Sequence, residues 1–434
     1  MIKEGLQKLK EKKVLDSLSI FNRLNKLNPD NSDILFCLGN VYYELNDLNK
    51  SLFYFEQSYK NHPKSEVIIN NYAVAMQSLG RTVEAKKLFH KLIEINPENI
   101  KAYYRLFRMN ENIFETYSIK KLKNLENREV ISLDDKSLIN YMLSKYEKNN
   151  NNIKKEIQFL NNAHEYYFKH RIKYNSKLSY FYINILSQYY DKFQFLNQHQ
   201  KHNQKSKLKP IFIIGLPRSG STLIESLLSQ NNKKFYSFGE SGIFHNSIFN
   251  QIKGVTFNEN SKIEINGKEL NESLRNIYDY SEEKNFIDKS LENFFYIDLI
   301  LKIFPNAKFI HTFRNRSDAA IAIYQSMLIY LPWAHSIKHI LNYISNYEKI
   351  IKHFKAKYPK KILNLNLEDF TSNPENSSKK IFDFCNIEWN KNVLDFYNKN
   401  LSSKSSSFLQ IRKKIQKYET DKYKSYYFLI KNNK

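Results

Sequence analysis

The sequence predicts two architectures in one chain: an N-terminal all-α block of helical repeats, then a P-loop-like α/β domain with a mainly parallel sheet. Two observations carry this. Prolines at 29, 63 and 97 stand 34 residues apart, each closing a similar tripeptide, LNP, NHP and INP. At 211–230, in IFIIGLPRSGSTLIESLLSQ, a β-branched run, a glycine-containing turn and an apolar helical stretch follow without a break. With 434 residues there is room for two or three domains, and 41% hydrophobic content is enough for packed cores.

The repeats come first. Between the prolines, Leu35, Leu38, Gly39, Tyr42 and Phe55 in one unit are matched by Ile69, Tyr72, Ala73, Met76, Ala85 and Phe89 in the next, in the same places or nearly so. Small residues let two helices approach, large ones fill the groove between them, and proline stops the second helix. Residues 1–29 read as a truncated first unit with Phe21, and a fourth begins at Tyr103 and Leu106 before the pattern fades. Residues 134–172 read as one more degenerate helical pair. This period resembles the tetratricopeptide repeat, with Ser51 and Ser58 where alanine is usual. A stack of this kind offers a concave surface to a protein or peptide; scaffolding and homodimerisation are equally open roles.

Charge and cysteine usage set outer bounds. The formal net charge of +24 favours acidic partners, but Lys and Asn are spread along the whole chain and no nucleic-acid motif accompanies them, so nucleic acid is not expected as a partner. Two cysteines, Cys37 and Cys385, make no disulfide framework and point to a reducing compartment. The N-terminus lacks the apolar core of a signal peptide, and no apolar run is long enough to span a membrane, so a cytoplasmic location is the expectation. Histidine spacing shows no metal motif, and no metal is expected.

The α/β half opens with KPIFIIG at 209–215, of the length of a buried parallel strand. GLPRSGST nearly spells a phosphate loop, G-x-x-x-x-G-K-[ST], but Ser221 stands in the place of the lysine. Gly215 and Gly220 let the backbone wrap inward, and the amides of 219–222 then point at one anion from the start of a helix. Arg218 adds a planar donor fork, Ser219 and Gly220 stand among those amides, and Ser221 and Thr222 add hydroxyls. Without its lysine the loop argues against a nucleotide kinase or ATPase, where that side chain reaches the β- and γ-phosphates.

The stretch PxxxxGLPRSGSTLxxxLLxQ resembles sulfotransferases that use 3′-phosphoadenylyl sulfate, and among them tyrosylprotein sulfotransferases and bacterial proteins joining tetratricopeptide repeats to a sulfotransferase domain. The resemblance covers about residues 206–425. With the repeats and the change of pattern near Lys205, the chain divides into 1–109 (repeats), 110–205 (helical connector) and 206–434 (sulfotransferase domain), with a hinge expected near 201–207. The resemblance implies that the loop 218–222 holds the donor's 5′-phosphosulfate end.

The other elements are read by position and by resemblance together. A helix after the loop climbs about 15 Å and a strand at 234–239 returns the same distance, which brings Gly239 and Glu240 to the loop's edge of the sheet. By resemblance Glu240 is the base that takes the acceptor's proton. FIDKS at 286–290 resembles the family's Asp-Lys element, which makes Lys289 a stabiliser of the leaving oxygen; Asp288 as a metal-binding carboxylate is the kinase-like alternative. Arg314, at the end of the strand in PNAKFIHTFRNRSDAAIAIYQSML, matches the arginine that binds the 3′-phosphate. Ala322 stands where that family has serine, and Leu367, in a strand expected at 361–370, where it has tyrosine. SSSFLQIRKK resembles the C-terminal donor loop: Ser407 assists the leaving oxygen, and Gln410, Arg412 and, further on, Lys422 bind the donor.

The expected activity is therefore sulfuryl transfer from 3′-phosphoadenylyl sulfate to a hydroxyl acceptor, a peptide tyrosine, a carbohydrate or a small molecule. A repeat scaffold with a degenerate, inactive sulfotransferase-like domain and a P-loop kinase are the alternatives.

Overall fold

The computed structural model of the chain describes all residues except 12, 118, 129, 197–208, 231–234, 253–261, 271–273, 275–284, 399–403, 405–408 and 432–434, and the side chains of 116 and 410. The 34-residue period becomes helix pairs: α1 (Ile2–Lys10) with α2 (Val14–Leu27), α3 (Ser32–Glu44) with α4 (Leu48–Asn61), and α5 (Glu66–Ser78) with α6 (Thr82–Ile95). Helices α2, α4 and α6 each end two residues before the periodic proline, whose ring disfavours helical backbone at the residue preceding it. Phe21, Phe55 and Phe89 are buried at equivalent places in the three pairs. A Cβ on Gly39 would lie 2.5 Å from the Phe55 ring, so the phenylalanine requires the glycine opposite it. Ser51, where alanine is usual, is buried and donates to the Gly39 carbonyl at 2.8 Å; Ser17 does the same to Gly5 at 2.8 Å. The polar substitution is absorbed because the opposite glycine exposes its own carbonyl.

The fourth unit keeps its first helix, α7 (Ile100–Arg108), and then breaks into the short segments Ile113–Tyr117 and Ile119–Glu126. The degenerate pair is realised as Leu133–Asn149 packed on Ile153–His170.

The α/β domain holds five parallel strands in the order β3-β5-β2-β6-β7: β2 (Ile211–Gly215), β3 (Phe235–Ser237), β5 (Asn285–Asp288), β6 (Lys308–Phe313) and β7 (Ile362–Asn366). Every residue of β2 is buried, as befits a central strand covered on both faces. A separate parallel pair, β1 (Phe193–Phe195) with β4 (Ile263–Ile265), had no signal in the sequence; three residues are too few for a period to show. The strand expected at 361–370 ends at Asn366, whose side chain caps the amide of Asp369 at 2.9 Å and starts the helix Leu367–Ser372.

One hydrophobic core runs through repeats, connector and sheet, from Phe55 and Tyr103 through Leu138 to Phe212, Phe309 and Ile430. A second covers the other side of the sheet with Ile213, Ile224, Leu227 and Phe396. Polar contacts stitch the connector to the α/β half. Tyr426 donates to Glu156 at 2.5 Å, Tyr324 to Asn161 at 2.6 Å, and His164 and His335 meet through their Nδ1 atoms at 2.9 Å. The repeats dock through their intra-pair turns. Asn46 (φ 62) donates to the Ser237 carbonyl at 2.8 Å, and Tyr236 returns a bond to Leu45 at 3.0 Å. At the next turn, a Cβ on Gly80 (φ 84) would sit 2.7 Å from the Arg412 guanidinium. The expected hinge at 201–207 lies outside the described residues.

Candidate active site at the sheet edge

The parallel strands all point the same way, so the turns after β2, β3, β5 and β6 collect at one edge. After β2 the chain turns through 216–220 into the helix Ser221–Ser229. Gly215 cannot be replaced there: its Cβ would lie 2.2 Å from the Thr312 carbonyl of the neighbouring strand. Arg218 is held at φ 66, a left-handed backbone that non-glycine residues adopt at a cost of about 1 kcal/mol or more. Gly220, at φ 89, caps the helix. Ser219, Ser221 and Thr222 are buried, and Ser219 Oγ has no hydrogen-bond partner among the described residues. Burial first, then Arg108 and Arg314, lower the Arg218 guanidinium from its usual value, against Tyr423 and Tyr141, which raise it.

The turns after β3 and β5 bring Glu240 and Lys289 together at 2.5 Å. Lys289 is only 1% exposed, and a second carboxylate, Glu225 on the loop's own helix, stands 3.6 Å away. Burial alone pulls the ammonium's pKa down, but Glu240 and Glu225 together raise it above its ordinary value, so it stays charged. Glu240 is 57% exposed and faces solvent. Its position is fixed from below. The Lys289 amide donates to the Gly239 carbonyl at 2.8 Å, and Ser237 donates to Glu225 at 2.6 Å. Asp288 is taken up by the backbone and hydroxyls: Ser241 donates to it at 2.7 Å, the Ser290 amide at 2.8 Å and Asn293 at 3.2 Å.

Arg314, at the end of β6, reaches across to the loop and donates to the Arg218 carbonyl at 3.1 Å. It also bonds Tyr418, lies 3.8 Å from Asp318, and has the Tyr418 and Tyr423 rings at 4.6 and 5.3 Å. Its Nε is buried with no hydrogen-bond partner among the described residues. Arg316, in contrast, forms an exposed ion pair with Glu348, away from this cluster. Ala322 is buried, and Leu367 lies against the loop, 2.7 Å from where a Cβ of Gly220 would be. Glu368 bridges to the Asn315 amide at 2.9 Å.

The C-terminal residues are less concentrated. Ser407 lies outside the described residues, as does the side chain of Gln410, which opens the short helix Gln410–Arg412. Arg412 packs against Gly80 of the repeats, and Lys422 is exposed, with its ammonium 6.0 Å from the Tyr423 ring.

Three site residues escaped sequence reasoning. Glu225 had only the weak signal of an acid inside the apolar helix LIESLL. Tyr418, which also donates to Asp318, had none. Glu292 lies three residues beyond Lys289, and its carboxyl is pushed up to about 7, by burial first and then by Glu240, against its own backbone bond and Lys289. His245, five residues after Glu240, is held between two tyrosine hydroxyls, Tyr182 at Nε2 and Tyr296 at Nδ1, each at 2.9 Å; both ring nitrogens are occupied and burial drives its pKa down to about 4.

Residues 210–391 match the model of the sulfotransferase family. An uncharacterized protein of Aquifex aeolicus (strain VF5) is 26% identical over 383 residues, 83% of this chain and 48% of that protein. The peroxisomal targeting signal receptor of Candida glabrata is 28% identical over 96 residues, 22% of this chain and 16% of the receptor. The chain thus spans less than half the length of the curated relatives it matches. Among solved structures, the sulfotransferase domain of the Synechococcus PCC 7002 olefin synthase is similar at 20% identity, covering 53% of this chain and 92% of that one, with a TM-score of 0.36. A sulfotransferase from Alicyclobacillus acidocaldarius is similar at 16% identity, covering 43% and 88%, with a TM-score of 0.31. The family match spans β2, its loop, β3, β5, β6 and β7, the elements that build the edge described above, and the chain carries a sulfotransferase-family domain behind a block of helical repeats.

Proposed function

We propose that the domain transfers a sulfuryl group from 3′-phosphoadenylyl sulfate to a hydroxyl acceptor. The observation that carries the reading is the Glu240–Lys289–Glu225 cluster placed beside a phosphate-type loop that lacks the kinase lysine. Two buried donors at the same edge, Ser219 Oγ and Arg314 Nε, have no protein partner among the described residues and suit the anionic ends of such a donor.

In this reading the backbone amides and hydroxyls of 219–222 and the Arg218 fork hold the 5′-phosphosulfate, and Arg314 holds the 3′-phosphate. Glu240, exposed toward solvent, accepts the proton of the acceptor hydroxyl as its oxygen attacks sulfur. Lys289, kept charged by two carboxylates, turns its ammonium toward the oxygen that leaves. Glu225 holds that ammonium in place once Glu240 has taken up the proton and lost its charge. Ser407, Gln410, Arg412 and Lys422 remain donor contacts proposed from the sequence motif alone. A peptide tyrosine, a carbohydrate and a small hydroxyl compound all remain candidate acceptors.

Calorimetric titration with adenosine 3′,5′-bisphosphate, against ATP with magnesium, tests the donor. The expected result is metal-independent binding of the bisphosphate. Binding of magnesium-ATP without the bisphosphate would favour a kinase, and binding of neither an inactive scaffold.

A further inference from the structure

A cavity of about 560 Å³ lies where the fourth repeat unit, the connector and the phosphate-type loop meet. Arg108 from α7, Lys145 from the connector helix Leu133–Asn149 and Arg218 from the loop share its wall with the rings of Phe107, Phe114 and Tyr141. Among the described lining residues the one acidic side chain, Glu111, is paired with Lys86 at 3.3 Å and His90 at 2.6 Å. Buried Glu156 lies behind the wall, 3.8 Å from Lys148, and accepts from Tyr426 and Gln325.

Each cation has a fixed root. Arg108 donates to the Tyr104 hydroxyl at 3.2 Å. Lys145 gives one of its three donors to the Gln325 carbonyl at 2.7 Å and stands 5.0 Å from the Tyr141 ring. Arg218 sits on the strained loop. Bringing three like charges to one partly enclosed cavity is unfavourable, and an anion placed among them lowers that repulsion. In keeping with this, Lys145 is pushed down to about 8, by burial first and then, against the pull of Glu156, by Arg218 and Arg108. The volume exceeds that of a bare ion and falls in the range of small-molecule sites, and the aromatic walls suit an organic body attached to the charge.

We propose that this cavity is a second anion subsite, built mainly by the helical half, which takes a phosphate or sulfate monoester carried by the acceptor substrate of the adjoining loop. Only the identity of the substrate that brings the ester rests on the sulfuryl-transfer reading; the subsite itself stands on the residues of the cavity. The helical block is then part of the active site rather than a separate appendage.

The test uses the full chain and the substitutions Arg108→Gln and Lys145→Gln, alone and together, with unfolding midpoints as the folding control. The probes are adenosine 3′,5′-bisphosphate, adenosine 5′-monophosphate and inorganic sulfate. The expected result is that both nucleotides bind the double variant as they bind the parent, while sulfate titrated onto the bisphosphate-saturated protein binds the parent chain and not the double variant. Arg108→Lys, which keeps the charge, retains most of the sulfate binding. A double variant that loses about 10-fold or more in affinity for the bisphosphate, with the monophosphate changed less than about 2-fold, would give the cavity to the donor's second phosphate and overturn the acceptor assignment. Should Lys145→Gln fail to fold, Arg108→Gln alone decides. Folded variants that bind the bisphosphate and sulfate as the parent does overturn the subsite. Sulfate binding that depends on Arg108 and Lys145, in a chain that binds no nucleotide, overturns the transfer reading and leaves the subsite standing.

Discussion

Lys289→Met puts the central electrostatic claim at risk. The methionine keeps the length and apolar stem of the lysine and removes its charge. What it leaves behind differs at the two carboxylates. Glu240, 57% exposed, regains water and loses little. Glu225 is 14% exposed, packed on the loop's helix, and retains only the Ser237 hydroxyl among the partners described for its side chain. Two unit charges about 4 Å apart attract by about 4 kcal/mol at an effective dielectric of 20, and breaking a buried pair from one side costs about 3–5 kcal/mol. Allowing for the partial exposure of Glu225, a loss of about 3 kcal/mol is expected. Glu225→Gln in the same chain removes the stranded charge, so the double variant regains most of that loss. Urea unfolding of the parent, both single variants and the double variant gives the cycle. A coupling below about 0.5 kcal/mol would refute the shared ammonium, and the mechanism would lose the group that keeps Lys289 in place.

Three further outcomes are expected. Glu240→Gln lowers turnover about 100-fold to 10,000-fold, once an acceptor is found by screening with labelled donor, and leaves bisphosphate affinity nearly intact; full turnover at saturating acceptor would move the base elsewhere. Glu292, with its carboxyl raised to about 7, contributes stability that is complete below its unfolded pKa near 4.5 and disappears as the pH rises through 7. Glu292→Gln should therefore flatten the parent's decline in unfolding free energy between those pH values, a difference of about 2–3 kcal/mol; parallel pH profiles would contradict it. Gly39→Ala drives a methyl group to 2.5 Å from the Phe55 ring and should destabilise the chain by about 1–3 kcal/mol in thermal unfolding, whereas Ser51→Ala on the partner helix should cost less.

Legibility in the sequence followed the range of the interactions involved. The repeats could be read because a helix pair is a local object: Phe21, Phe55 and Phe89 recur with the glycine or alanine that faces them. The loop could be read because a strand, two glycines and a helix lie within twenty residues. Glu240 could be placed at the loop's edge because a helix and a strand of known rise return the chain to it, whereas Lys289 was read only by resemblance; the two meet at 2.5 Å. The limits were equally physical. The strand after Lys361 stops at Asn366 because a side-chain cap, invisible to hydrophobic periodicity, starts a helix there. Nothing local to His245 announces the tyrosines, 63 and 51 residues away, that hold both its nitrogens.

By itself the sequence determined the repeat helix pairs and the strand, turn and helix that frame the loop, since these depend on propensity, spacing and residue identity over a few turns of chain. Tertiary structure alone decided the company each charge keeps. Glu225 joins Lys289 from another strand's helix, Arg314 is boxed by Tyr418 and Tyr423 about a hundred residues on, and the repeat turns at Asn46 and Gly80 close on the sheet edge and the C-terminal segment. The gathering of Arg108, Lys145 and Arg218 around one cavity belongs to the same category. Electrostatic energy depends on distance and burial in space, and neither is written in the separation of residues along the chain.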